Sequence, residues 1–365
     1  MRKPTVLLSA LLLVLAVLTV GLAGCNTTTP TTPVTTSTTA APTAAPTTAA
    51  PTTAPTTPST VPYTERTAVK IATIQGPSGI GMSQLMEKNE KQNTSNQYTF
   101  IVEPSAQNVA SLVISGEVDI ACVPTNTAAL LYNKLEGGAK LIALNTLGVL
   151  HILENGDQVQ SVEDLAGRTL HVSGQGAVPQ YAIEYILDAY GLTDSVEVVY
   201  YADHDELAAL AAAGSVDLCM LPEPKVTATL MANPELRLAV DVTEAWSLAA
   251  DKNGDEGSVL TMGAVVVRTA FADEHPEAVA AFLAEYETSI GFVKTQVAAG
   301  SILVEKHGIM PKAAVAAKAI PNCNLVYIDG EDMQPAISNM LDVLFASNPQ
   351  SIGGALPDEG FYHIG

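Results

Sequence analysis

One ten-residue pattern occurs twice in this chain, and it narrows the folds open to it. Ser115-Gly116-Glu117-Val118-Asp119-Ile120-Ala121-Cys122-Val123-Pro124 matches Ala213-Gly214-Ser215-Val216-Asp217-Leu218-Cys219-Met220-Leu221-Pro222. Each copy reads as a helix end stopped by glycine, a Val-Asp step, and an apolar strand closed by proline. The copies lie 98 residues apart, about the length of one α/β lobe. Two equivalent α/β units facing each other bring the C-terminal ends of their strands to a shared cleft. That is the edge at which open α/β sheets bind ligands.

The flanking sequence fits such units. Strand patterns fall at 69–74, 98–102, 118–123, 139–145, 149–153, 169–172, 196–200, 216–221, 236–240 and 262–267. Helical patterns lie between them near 106–115, 177–190, 204–213 and 224–232, and helices dominate after 267. The alternation predicts α/β architecture, with parallel or mixed sheets covered by helices on both faces. One crossover between lobes is expected near 146–149 and a second between about 241 and 261. Residues 247–258 read as an acidic surface excursion without helix or strand pattern. These readings divide the body into lobe 1 (68–147 and 259–365) and lobe 2 (148–258).

The N-terminal segment is of another kind. Arg2 and Lys3 precede a largely apolar run over 6–22 that ends Ala23-Gly24-Cys25. This is the layout of a secretory signal, and its end resembles a bacterial lipobox. The resemblance implies a leader over 1–24 removed before Cys25, whose thiol carries the lipid. The rest then lies on the extracytoplasmic face of the bacterial cell membrane, lipid-anchored. The alternative is an uncleaved apolar anchor with an incidental cysteine, for which the run is just long enough. Residues 26–61 are almost entirely Thr, Pro and Ala. Nothing in them can offset the entropy of ordering, so 25–67 is expected to be a disordered, semi-rigid tether.

The net charge of −21 argues against nucleic acid and anionic lipid head groups as partners. Beyond Cys25, the cysteines Cys122, Cys219 and Cys323 are odd in number and without C-x-x-C spacing, so no disulfide framework or metal site is indicated. Cys122 and Cys219 lie in apolar strand patterns and read as small core residues.

Taken in order, several segments resemble one family. They are the lipobox; Gly76-Pro77-Ser78-Gly79-Ile80-Gly81; the first repeat with Pro124-Thr125-Asn126; Ser161-Val162-Glu163-Asp164-Leu165-Ala166-Gly167-Arg168-Thr169; Ser173-Gly174-Gln175-Gly176; and the second repeat with Leu221-Pro222-Glu223-Pro224. The body resembles the solute-binding lipoproteins of bacterial ABC importers, of the nitrate/sulfonate/taurine type, related to binding proteins for thiamine pyrimidine precursors. The resemblance implies a two-lobe periplasmic-binding-protein-like fold (type II) with two crossovers, and an importer role with an ABC permease as partner. It implies no cofactor, and as ligand a small solute: a sulfonate, taurine, nitrate or a pyrimidine-like ring. An orphan sensor lipoprotein would need the same closing receptor. An enzyme on this fold is the third reading, but the cysteine-rich motif of the family's pyrimidine synthases is missing, as are Gly-x-Ser-x-Gly and His-Glu-x-x-His.

Three loops follow strands and open helices, and they supply the candidate ligand contacts: Pro77, Ser78 and Gly79; Thr125 and Asn126; Ser173, Gly174, Gln175 and Gly176. Helix N-termini offer free N–H groups, glycines admit close approach, and Ser, Thr and Asn direct hydrogen bonds. Plain helix capping is the alternative for each loop. Gly148 joins the candidates at the first crossover. Glu223 would accept from a ligand N–H, or instead cap the next helix. No Lys or Arg lies inside the three loops, which favours a neutral or zwitterionic organic solute. His151 reads as a strand histidine or a cleft residue, and Tyr181 and Trp246 as core packing or cleft flanks. Asp203-His204-Asp205-Glu206 reads as a solvated helix start.

Overall fold

The structure, a computed structural model, describes residues 61–364. The leader, Cys25 and the tether up to residue 60 lie outside the described residues. The chain runs β1 (Ala68–Ile74), α1 (Pro77–Glu90), β2 (Gln97–Glu103), α2 (Ala106–Ser115), β3 (Ile120–Pro124), α3 (Thr125–Lys134), β4 (Ala139–Leu147) and β5 (Leu150–Asn155). It continues with β6 (Thr169–Ser173), α4 (Val178–Ala189), β7 (Glu197–Tyr201), α5 (His204–Ala212), β8 (Leu218–Pro222), α6 (Lys225–Ala232), β9 (Leu236–Asp241) and α7 (Val242–Asn253). Then follow β10 (Thr261–Arg268), α8 (Thr269–Glu274), α9 (Pro276–Thr295), α10 (Val297–Lys306), α11 (Ala313–Ala319), β11 (Leu325–Ile328) and α12 (Met333–Ser347). No helix among the described residues is long and apolar enough to cross a membrane.

The strands form two mixed sheets, ordered β11-β4-β10-β3-β1-β2 and β7-β6-β8-β5-β9. The two repeats occupy equivalent places in them. β3 pairs parallel with β1 and antiparallel with β10. β8 pairs parallel with β6 and antiparallel with β5. Gly116 (φ +75°) and Gly214 (φ +68°) both take the left-handed conformation that ends the preceding helix.

Strand periodicity distributes the core. In β3, Ala121 and Val123 join one apolar cluster while Ile120 and Cys122 face a second, as period-2 geometry demands. In β8, Leu218 and Met220 join the first cluster and Cys219 and Leu221 a third. The first cluster therefore runs across both sheets, with α4, α7 and α12 contributing to it. Cys122, Cys219 and Cys323 are all buried and free.

The chain passes between the sheets twice. The first passage is only Gly148 and Val149, between β4 and β5. The second differs from the surface excursion expected over 247–258, because α7 runs through it to Asn253. Asp241 caps that helix by accepting from the N–H groups of Thr243 and Glu244, and Gly254 (φ +84°) ends it. Val242, Ala245, Trp246, Ala249 and Ala250 form a helical stripe that is buried. The acids and glycines at 251–257 masked that stripe in the sequence.

Candidate functional site

The strand ends of the first sheet carry a buried polar network. Ser78, in the first turn of α1, donates to Asn145 Oδ1 (3.3 Å). Thr146 Oγ1 donates to the same oxygen (3.1 Å), and Asn145 Nδ2 donates to Tyr286 Oη (2.9 Å). Gly263 on β10 makes room for it: a Cβ there would lie 2.3 Å from Asn145 Oδ1 and 3.0 Å from Ser78 Oγ. β3 ends at Pro124, which opens α3 with no side-chain cap. Thr125 Oγ1 and Asn126 Oδ1, at the start of that helix, are buried without partners.

In the second sheet Ser173 ends β6 and is fully buried. Its hydroxyl lies 2.7 Å from His204 Nδ1 and 3.4 Å from the Met220 carbonyl. His204 opens α5, and burial holds its imidazole below the ordinary value, with Lys225 acting in the same sense and Asp203 and Asp205 opposing. Gly174 (φ +89°) admits this approach, since a Cβ there would sit 3.0 Å from the His204 ring and 2.8 Å from Pro179. Gln175 and Gly176 form an exposed tip, and the Gly176 N–H is taken by Gln180.

Glu223 is buried just past β8. Its carboxylate accepts from the Thr227 N–H (3.2 Å) and hydroxyl (2.8 Å) in the first turn of α6, and from Asn322 Nδ2 (3.4 Å). Burial pushes its pKa up against these bonds and the nearby His151. The bonds to Thr227 have the form of a helix cap. Asn322 precedes β11, so this contact also ties the two sheets' halves together. A Cβ on Gly76 would lie 4.0 Å from Pro224, so the strand-end loops of the two halves meet here.

The remaining candidates sit in tight surroundings. A Cβ on Gly79 would meet the Ile74 carbonyl at 2.7 Å, and one on Gly148 would meet Thr243 Oγ1 at 2.2 Å. Pro77 sits at the start of α1, where its missing N–H costs nothing. Tyr181 is buried on α4, its hydroxyl accepting from Asn348 Nδ2 (3.1 Å). Trp246 is buried against Tyr185. His151 is a strand residue 3.9 Å from Asp241. Asp205 and Glu206 are exposed as expected, but His204 is not. Sequence reasoning missed Asn145 and Gly263 and read His204 as solvated. Only Gly263, a glycine inside an apolar strand pattern, carried a usable signal of close approach.

Open α/β halves joined by two passages, with their strand-end loops in contact, define the periplasmic-binding-protein fold, and solved structures share it. An ABC transporter protein from Parabacteroides distasonis has a TM-score of 0.68 at 24% identity, covering 81% of this chain and 99% of its own. The periplasmic aliphatic sulphonate binding protein SsuA from Escherichia coli has a TM-score of 0.63 at 15% identity, covering 78% and 94%. The alkanesulfonate-binding protein SsuA from Xanthomonas axonopodis pv. citri, bound to MOPS, has 0.59 at 16%, covering 80% and 96%. No curated protein sequence matches the chain. The family model described as NMT1/THI5 like matches residues 99–296, and the chain belongs to that family.

Proposed function

We propose that this chain is the solute-binding component of an ABC importer, held at the outer face of the cell membrane by lipid on Cys25. It captures a small organic solute between the strand ends of its two sheets. The observation that carries this reading is the pair of buried polar atoms without partners at the start of α3, directly after the end of β3. Native proteins rarely leave such atoms unpaired, and at a strand end that opens a helix a bound solute or ordered water completes them. The transport neighbours of the same fold support the role. Nucleophilic chemistry at cysteine finds no support, because burial pushes the thiols of Cys122 and Cys219 up to about 12.

The test is native mass spectrometry of the purified protein, followed by a thermal-shift screen of taurine, alkanesulfonates, nitrate and aminopyrimidines. A true ligand at about 100 times its dissociation constant should add about 2.7 kcal/mol of stability. No retained compound and no shift with any small solute would remove the binding-protein reading. For the anchor, a fatty-acid label should enter the wild type and be lost in Cys25→Ser. Equal labelling would remove the lipid.

A further inference from the structure

Three buried polar atoms without partners lie on two elements that touch. Thr125 Oγ1 and Asn126 Oδ1 lie in the first turn of α3, and Ser351 Oγ lies in the short 3-10 turn Pro349–Ile352 that follows α12. The three residues are 0%, 7% and 8% exposed. Asn126 Nδ2 donates to the Ser351 carbonyl (3.4 Å), which brings the turn onto the helix start. A peptide carbonyl can only accept, so the amide nitrogen must face it. Asn126 Oδ1 is thereby left as an unpaired acceptor. The turn also reaches the other half of the molecule. Asn348, which caps it through the Gln350 N–H (3.1 Å), donates to Tyr181 Oη on α4.

We propose that the turn Pro349–Ile352 is a third wall of the solute site and that Ser351, with Thr125 and Asn126, determines its specificity. The proposal rests on the solute-binding reading above. The two hydroxyls can each donate or accept, but Asn126 Oδ1 only accepts. Their complement is therefore a ligand edge that presents an N–H to Asn126 Oδ1, with a donor or acceptor beside it for the hydroxyls, as in a carboxamide or an amino-substituted azine. A group bearing only acceptor oxygens would face Asn126 Oδ1 with like partial charge. No cation is paired with any of the three side chains among the described residues.

Because the three atoms have no protein partner, replacing them removes no internal bond. In the full chain without ligand, Ser351→Ala and Thr125→Val should hold or raise the melting temperature. Calorimetric titration then compares cytosine, nicotinamide and urea with ethanesulfonate and nitrate. The donor–acceptor probes should bind the wild type more tightly, and Ser351→Ala should weaken them tenfold or more. Tighter binding of the acceptor-only probes overturns the proposed edge. Equal affinity of wild type and Ser351→Ala overturns the third wall while leaving the binding protein intact. A fall of several degrees in either ligand-free variant also overturns it, because the atoms would then have partners inside the fold. Binding of none of the five probes defeats the proposed edge, while a solute retained in native mass spectrometry would keep the broader reading standing.

Discussion

Gly263→Ala should be strongly destabilising, and the size follows from the space around it. The added methyl would lie 2.3 Å from Asn145 Oδ1, 3.0 Å from Ser78 Oγ and 3.0 Å from Thr146 Cβ. Asn145 must therefore move by about 1 Å, since ordinary carbon contacts begin near 3.5 Å. That movement breaks its bonds with Ser78, Thr146 and Tyr286. Each bond contributes about 0.5–1.5 kcal/mol net, and overpacking alone costs about 1–3. A loss of about 3–7 kcal/mol is expected, read as a lower urea midpoint at unchanged slope. Gly291→Ala is the matched control: its Cβ would meet nothing within 4 Å on α9, so it should gain up to about 1 kcal/mol. If Gly263→Ala unfolds at the wild-type midpoint, the close approach at Gly263 does not govern this site.

Three further outcomes are expected. Glu154 is buried against Arg168 (3.2 Å) and Arg237 (2.5 Å), so Glu154→Ala should cost about 3 kcal/mol in chemical unfolding yet leave solute affinity unchanged, and a loss within about 0.5 kcal/mol would contradict the buried-pair account. His204 has a lowered pKa in the fold, so the stability it allows is present above about pH 6.5 and lost as pH falls below it; melting curves of His204→Asn should be flatter over that window, and identical slopes would refute the assignment. The thiols of Cys122, Cys219 and Cys323 should resist maleimide in the native protein and react only on unfolding; fast native labelling would show that they are not sealed in the core.

The strands of the two repeats were legible because alternation and a stopping glycine are local signals. β3 and β8 lie within a residue or two of where the pattern put them. The site was less legible because its geometry depends on register between strands distant in the chain. Asn145 meets Gly263 only because β10 lies against β4, with irregularities in that pairing near residue 263. His204 sits among acids that imply solvent, yet its ring turns inward to Ser173. Ser351 lies in a short turn after the last long helix, where nothing in the local sequence points to a site. Glu223 left two readings open, and its bonds to Thr227 and to the distant Asn322 became visible only in three dimensions.

The position of β10 sets the order in which this molecule can be built. It lies between β4 and β3 in the first sheet, although it is the tenth strand of the chain. A chain emerging from its N-terminus therefore delivers β1 to β4 long before the strand that joins β3 to β4. The second sheet is different, since all its strands lie within 150–241 and it can assemble from one continuous stretch. The later half in sequence should thus finish first, leaving the earlier strands with open edges that invite pairing with other chains. A chaperone that shields residues 68–147 until residue 268 has emerged would remove that hazard.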